Sequence, residues 1–231
     1  MLPIQSIGAI LLGSAIGFSS WGYMMPQADP TQTLLLVNKQ NKAPTLPLTL
    51  CYPEVLPVEE RYAVNTAMRP DAASALAAMF QAAQAEDVAL YALSGFRSYS
   101  TQKAIFERKK QERGEKAANR SSAKAGYSEH QTGLAMDYKG ASTLRGGLSK
   151  DIGASPEGQW VAENCWRYGF IVRYPEDQTG VTGYIYEPWH VRYVGKETAE
   201  RMHALGNPPF EHYIDLVRRE RISAMEGEAH E

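Results

Sequence analysis

The sequence predicts an α+β domain, and three observations carry that prediction. Helical and strand-like patterns follow one another in irregular order, the strand candidates are short, and no internal repeat organises them. With 231 residues, 44% of them hydrophobic and 22% charged, the chain is long enough for one domain with a sizeable core plus additional segments.

The first 25 residues, MLPIQSIGAILLGSAIGFSSWGYMM, contain no charged side chain. Such a stretch is an export signal or a membrane anchor, since about 20 helical residues at about 1.5 Å each span a bilayer core of about 30 Å. The usual basic n-region and a clean A-x-A site are absent, so cleavage and retention both stay open. Residues 26–60, including KAPTLPLTLCYPEVLP, are rich in Pro, Thr and Leu and read as an extended arm over the domain. The domain itself is expected over residues 61–222, followed by a tail, 223–231.

From Pro70, PDAASALAAMFQAAQAED carries Leu76, Met79, Phe80 and Ala83 at helical spacing, which predicts an amphipathic helix. VALYALSG then alternates as a strand with a glycine stop. STQKAIFERKKQER is the next helix, capped by Ser100 or Thr101 and ended at Gly114; its ERKKQER run reads as a solvated face. Residues 114–129 are small and polar and read as a surface loop. GLAMDYK, a Gly/Ser-rich loop and the helix SPEGQWVAENCWRYG follow. Two strands, FIVRY and TGYIYEPWHVRYVG, flank the loop PEDQTGV, and KETAERMHALG and PFEHYIDLVRRERI are terminal helices.

Charge narrows the partners. Lys and Arg total 24 against 26 Asp and Glu, a net charge of −2 with no extended basic block, so nucleic acid is not an expected partner. The two cysteines, Cys51 and Cys165, leave a disulfide open in an oxidising compartment. Cys165 reads equally well as a small apolar residue on a buried helix face.

The chain has five histidines. His203 and His212 fall in polar terminal helices and His230 beside the end, which leaves His130 in SEHQTGLAMD and His190 in YEPWHVRY. A hydrolytic zinc centre needs three His, Asp or Glu ligands, a coordination position for water, and a nearby carboxylate to take its proton. His130, Asp137 and His190 supply such a set and leave Glu187 as a base, provided a bulge near Pro188 turns Glu187 and His190 into one cleft. The alternative, solvated or merely hydrogen-bonded histidines near acids, stays open on spacing alone.

SEHQTGLAMD matches an S-x-H-x-x-G-x-x-x-D motif and EPWH an E-x-W-H motif, and with SGFRSYSTQ, LLLVNKQN and WVAENCWRYGFIVRYP they resemble the VanY-type D-alanyl-D-alanine carboxypeptidases. These are zinc peptidases of the M15 family with the LAS, or hedgehog-like, core. The resemblance covers roughly residues 34–205. It implies a small antiparallel sheet holding Zn2+ between helices, with His130, Asp137 and His190 as ligands and Glu187 as base.

Arg97 matches the arginine that polarises the scissile carbonyl, a task suited to its planar, permanently charged fork. Gln102 and Ser128 match positions that contact substrate. Trp189 is expected to shape the pocket, with Tyr127, Tyr184 and Tyr186 as weaker lining candidates. The one departure is Phe96 where the family often has tyrosine.

The implied activity is removal of the terminal D-alanine from peptidoglycan stem peptides by an exported, periplasmic or envelope enzyme. L,D-carboxypeptidase action on tetrapeptide stems is the alternative. A non-catalytic wall-peptide binding module is an alternative of another class, which the full set of three ligands and a base disfavours.

Overall fold

The computed structural model describes residues 33–45 and 48–228. The expectation for residues 1–25, the first part of the arm and the last residues of the tail lie outside them. Among the described residues no helix is long and apolar enough to cross a membrane.

Four strands form one antiparallel sheet: β1 (Leu90–Ser94), β2 (Ala135–Gly140), β3 (Phe170–Tyr174) and β4 (Glu187–Tyr193), in the order β1-β2-β4-β3. The helices are α1 (Pro70–Ala85), α2 (Tyr99–Arg113), α3 (Glu115–Ser121), α4 (Pro156–Asn164), the short α5 (Thr179–Thr182), α6 (Lys196–Ala204) and α7 (Phe210–Glu228). The α+β class and the small antiparallel sheet are both found.

Pro70 opens α1 at its first turn, where its missing N–H costs nothing. The buried stripe of α1, Leu76, Met79, Phe80 and Ala83, is the one the spacing predicts. It packs with Leu90, Ala92, Met136, Tyr138, Phe170 and Val191, alternate residues that give one face of the sheet to the main core. The residues between them, Asp137, Ile171, His190 and Arg192, belong to the opposite face. Ile171 joins a second apolar cluster there with Met202, Phe210 and Ile214 of the last helices.

Three expectations are corrected. The cap of α2 is Ser98 rather than Ser100 or Thr101; its Oγ accepts from the Thr101 amide at 3.2 Å, the usual reach of a cap to its third helical residue. Residues 114–129 are not all loop, because Gly114 at φ +80 ends α2 and the alanine-containing Glu115–Ser121 starts α3 at once. The expected solvated ERKKQER face also has a half-buried member, Lys109, whose Nζ donates to the Ser121 carbonyl at 2.9 Å.

Cys51 and Cys165 are free thiols. Cys51 pairs through its backbone with Met68, while Cys165 is buried among core side chains.

Candidate active site

Two irregularities in the sheet build the site. Between β3 and β4 the pairing jumps from Val172↔Val191 to Tyr174↔Glu187, so β4 carries extra residues opposite a shorter stretch of β3. Glu187 and His190, three apart, would face opposite sides of a regular strand; the bulge brings both to one cleft, as Pro188 between them predicted. Pro188 is tolerated on this inner strand because β2 pairs with β4 only from His190 onward. Between β1 and β2 the register slips from Ala92↔Tyr138 to Ser94↔Asp137. That slip is followed within three residues by Arg97, whose Nε donates to Ser94 Oγ at 2.8 Å.

Asp137 on β2 lies directly across from His190 on β4. Its Oδ1 is 3.0 Å from His190 Nδ1 and 3.3 Å from His130 Nε2. One ligand-capable atom from each of His130, Asp137 and His190 lies within 4.8 Å of the others, and all three residues are buried.

His130 arrives from a different segment, the 3-10 turn Glu129–Thr132, which Gly133 ends at φ +70. A Cβ on Gly133 would meet Leu50 Cδ2 at 3.0 Å, so the glycine of the motif serves both a left-handed backbone and a close approach.

Hydrogen-bond partners select which nitrogen of each histidine faces the centre. His130 Nδ1 is 2.7 Å from the Gly95 carbonyl, which only accepts; Nδ1 therefore carries the proton and Nε2 presents a lone pair towards Asp137. His190 Nε2 lies 3.3 Å from Glu129 Oε2, which directs Nδ1 inward. A carbonyl and a carboxylate behind two imidazoles is the outer shell that metal-binding histidines require.

The electrostatics agree with a cation site. Burial and the neighbouring Arg97 hold His130 down at about 4, so a neutral nitrogen and an ionised Asp137 confront each other with lone pairs. Burial opposes the charge of Asp137, but His130 and Arg97 outweigh it and keep the carboxyl well below its usual range. Burial likewise opposes protonation of His190, but its bonds to Asp137 and Glu129 prevail and raise it to about 9. Two imidazoles and one carboxylate are a donor set suited to zinc.

Glu187 is 8% exposed, and burial pushes its carboxyl up to about 7, against the pull of His190. It lines a cleft of about 490 Å³ together with His130, Asp137 and His190. The remaining residues singled out in the sequence, Arg97, Gln102, Ser128 and Trp189, line the same cleft.

Arg97 also donates from Nη2 to Asp137 Oδ2, which occupies the outer carboxylate oxygen and leaves Oδ1 facing the histidines. Gln102 donates to the Ala123 carbonyl at 2.8 Å, and its buried Oε1 has no hydrogen-bond partner among the described residues. The group it can offer a ligand is thus an acceptor. Of the three tyrosines, Tyr184 lines this cleft, Tyr127 a neighbouring groove and Tyr186 an apolar cavity elsewhere.

Sequence reasoning missed Glu129, Arg173 and Arg192, all buried. Arg173 Nε and Arg192 Nη1 both donate to Glu129 Oε1, at 2.8 and 2.7 Å. The available signal was an arginine inside each of two apolar strands, FIVRY and EPWHVRY, since a buried guanidinium demands a buried acid.

The model of the VanY D-alanyl-D-alanine carboxypeptidase family matches residues 65–196. YodJ of Bacillus subtilis strain 168, whose name assigns it provisionally to the carboxypeptidases, is 41% identical over 193 residues, spanning 83% of this chain and 70% of its own. A solved structure of the LdcB LD-carboxypeptidase, described for its peptidoglycan recognition, superposes with a TM-score of 0.73 at 40% identity, over 81% of this chain and 88% of that one. The vancomycin-resistance D,D-pentapeptidase VanY of the VanB-type cassette, solved as a glutamate-to-alanine variant with Zn(II), gives a TM-score of 0.66 at 32% identity, over 79% and 99%.

Proposed function

The chain belongs to the VanY D-alanyl-D-alanine carboxypeptidase family, and on that premise we propose that it is a zinc-dependent enzyme releasing the terminal D-alanine of peptidoglycan stem peptides. The observation that carries the proposal is the convergence of His130 Nε2, Asp137 Oδ1 and the inward nitrogen of His190, with the buried Glu187 on the same cleft. His130, Asp137 and His190 would hold the metal, which supplies Lewis acidity to the scissile carbonyl and acidifies water.

Glu187 takes one proton from the attacking water as the oxygen bonds to the carbonyl carbon. It delivers that proton to the departing amino nitrogen as the C–N bond breaks, which yields free D-alanine and the shortened peptide. A carboxyl lifted towards neutrality suits both halves of this transfer, because it binds and gives up a proton near working pH. Arg97, held by Ser94 and Asp137, keeps a fixed positive charge beside the carbonyl oxygen where negative charge develops. We assign the buried acceptor of Gln102 and the hydroxyl of Ser128, both lining the cleft, to the substrate backbone.

The D,D bond of a pentapeptide stem is the primary reading, in line with the family matched. The L,D bond of a tetrapeptide stem is the second reading, favoured by the likeness to the LdcB LD-carboxypeptidase. Mass spectrometry of products from both muropeptides separates them. D-Alanine from pentapeptide alone establishes the first, from tetrapeptide alone the second, and from neither it removes the proposed activity. Stem peptides outside the cytoplasm are the substrate, so the uncharged residues 1–25 are assigned to export or anchoring at the envelope.

A further inference from the structure

His190 is held from behind by a buried chain of charges that ends outside residues 65–196, the stretch the family model matches. Glu129 Oε2 accepts from His190 Nε2 at 3.3 Å, and its Oε1 accepts from the two guanidiniums. Arg173 turns its other two nitrogens to Glu211 of α7, Nη2 to Oε1 at 2.7 Å and Nη1 to Oε2 at 3.0 Å. Asn38 Nδ2 donates to the same Glu211 Oε1 at 3.2 Å. Arg192 Nη2 donates to the carbonyls of Thr33 and Leu35, each at 2.9 Å. The side chains of Glu129, Arg173 and Arg192 are 0% exposed, so no solvent competes for these bonds.

We propose that Glu211 and the segment 33–38, both outside residues 65–196, are positioning groups for the metal ligand His190, acting through Arg173, Arg192 and Glu129. The inference rests on the metal site proposed above. Its physical basis is that one carboxylate oxygen of Glu129 holds two cations, and the direction of the other oxygen depends on where those cations sit. Arg173 is fixed at one end by Glu129 and at the other by a two-point clamp on Glu211. Arg192 is fixed by carbonyls of the arm.

Removing either anchor leaves a buried guanidinium to find a new partner, and Glu129 moves with it. The ring of His190 then loses the acceptor that sets its tautomer and tilt. Groups behind a metal-bound histidine commonly matter 10–100-fold in metal affinity. The arm and the last helix are thereby parts of the active site without touching substrate.

The test is the zinc affinity of Glu211→Gln, measured by competition with a chromogenic chelator, with the visible absorption of the cobalt(II) form as a second readout. Gln keeps the size of Glu211 but replaces one acceptor by a donor facing Arg173. Affinity is expected to fall about 10-fold and the cobalt bands to shift. Ile214→Val, a packing change in the same helix at a side chain that makes no hydrogen bond to these groups, should leave both readouts at wild-type values.

The inference is overturned by a Glu211→Gln protein that binds zinc within about twofold of wild type, or by an equal loss in Ile214→Val. Should Glu211→Gln fail to fold, Asn38→Ala carries the test: it removes the bond to Glu211 and the three that Asn38 Oδ1 accepts from Gln40 and Asn41, a few-fold loss is expected, and unchanged affinity overturns the idea. Wild-type protein that binds no zinc removes the proposed function and this inference with it. Zinc binding by wild type beside an unaffected variant removes this inference alone.

Discussion

Asp137 and His190 sit opposite one another on neighbouring strands, with Oδ1 of the acid 3.0 Å from Nδ1 of the imidazole. Two of the three candidate ligands are therefore fixed by backbone pairing, and only His130 has to be delivered by a turn. Asp137→Asn should keep the sheet and lose the metal, because the amide is neutral and a poor ligand. Elemental analysis is expected to find about one zinc per chain in wild type and far less in the variant. Full zinc in Asp137→Asn would remove Asp137 from the ligand set.

Glu187→Gln should retain zinc and reduce turnover on the order of 10²–10⁴-fold, the usual worth of a positioned acid–base group. Release of D-alanine at the wild-type rate would disprove its role as base.

The same substitution has a pH signature in metal-free protein. Glu187 has its folded value raised to about 7, while the unfolded chain titrates near the ordinary 4.5. Below about 4.5 both states are protonated and no penalty exists. Between about 4.5 and 7 the unfolded chain gives up its proton while the buried carboxyl keeps it, so stability falls by about 3 kcal/mol across that window and levels off above 7. Glu187→Gln removes this loss. Denaturant unfolding in the presence of a chelator should find the variant more stable than wild type at pH 8 and equal to it near pH 4; equal stability at both would contradict the burial cost.

Gly133→Ala places a side chain at φ +70 and against Leu50. The left-handed backbone alone costs about 1–2 kcal/mol, and relief of the contact displaces the turn that carries His130. A lower melting temperature together with weaker zinc binding is expected; an unchanged metal affinity would show that the turn absorbs the strain away from His130.

Arg97→Lys keeps the charge and loses the fork that binds Ser94 and Asp137 at once. Turnover should drop about 10²-fold with zinc still bound. Steady-state kinetics with a pentapeptide substrate would reveal a merely structural arginine by leaving kcat near wild type.

The face of α1, the strand at GLAMDYK and the pair of motifs around His130 and His190 were legible because each depends on local spacing. A stripe at helical period or a proline that forces a bulge is written in neighbouring residues. The cap at Ser98 and the helix Glu115–Ser121 were misread because small polar residues serve caps, loops and short helices alike, and packing chooses among them. Glu129 was passed over beside His130 because its partners, Arg173 and Arg192, are 44 and 63 positions away.

Side-chain chemistry and short-range spacing were enough to recognise the family and to nominate His130, Asp137 and His190 as metal-ligand candidates and Glu187 as a candidate base. Only the tertiary structure decided which histidine nitrogens face the centre, that Arg97 holds the outer oxygen of Asp137, and that the arm and last helix reach the site through buried charges. These are consequences of burial: ionised groups withdrawn from water must find counter-charges wherever the fold brings them together, and that distance is not encoded in any local pattern.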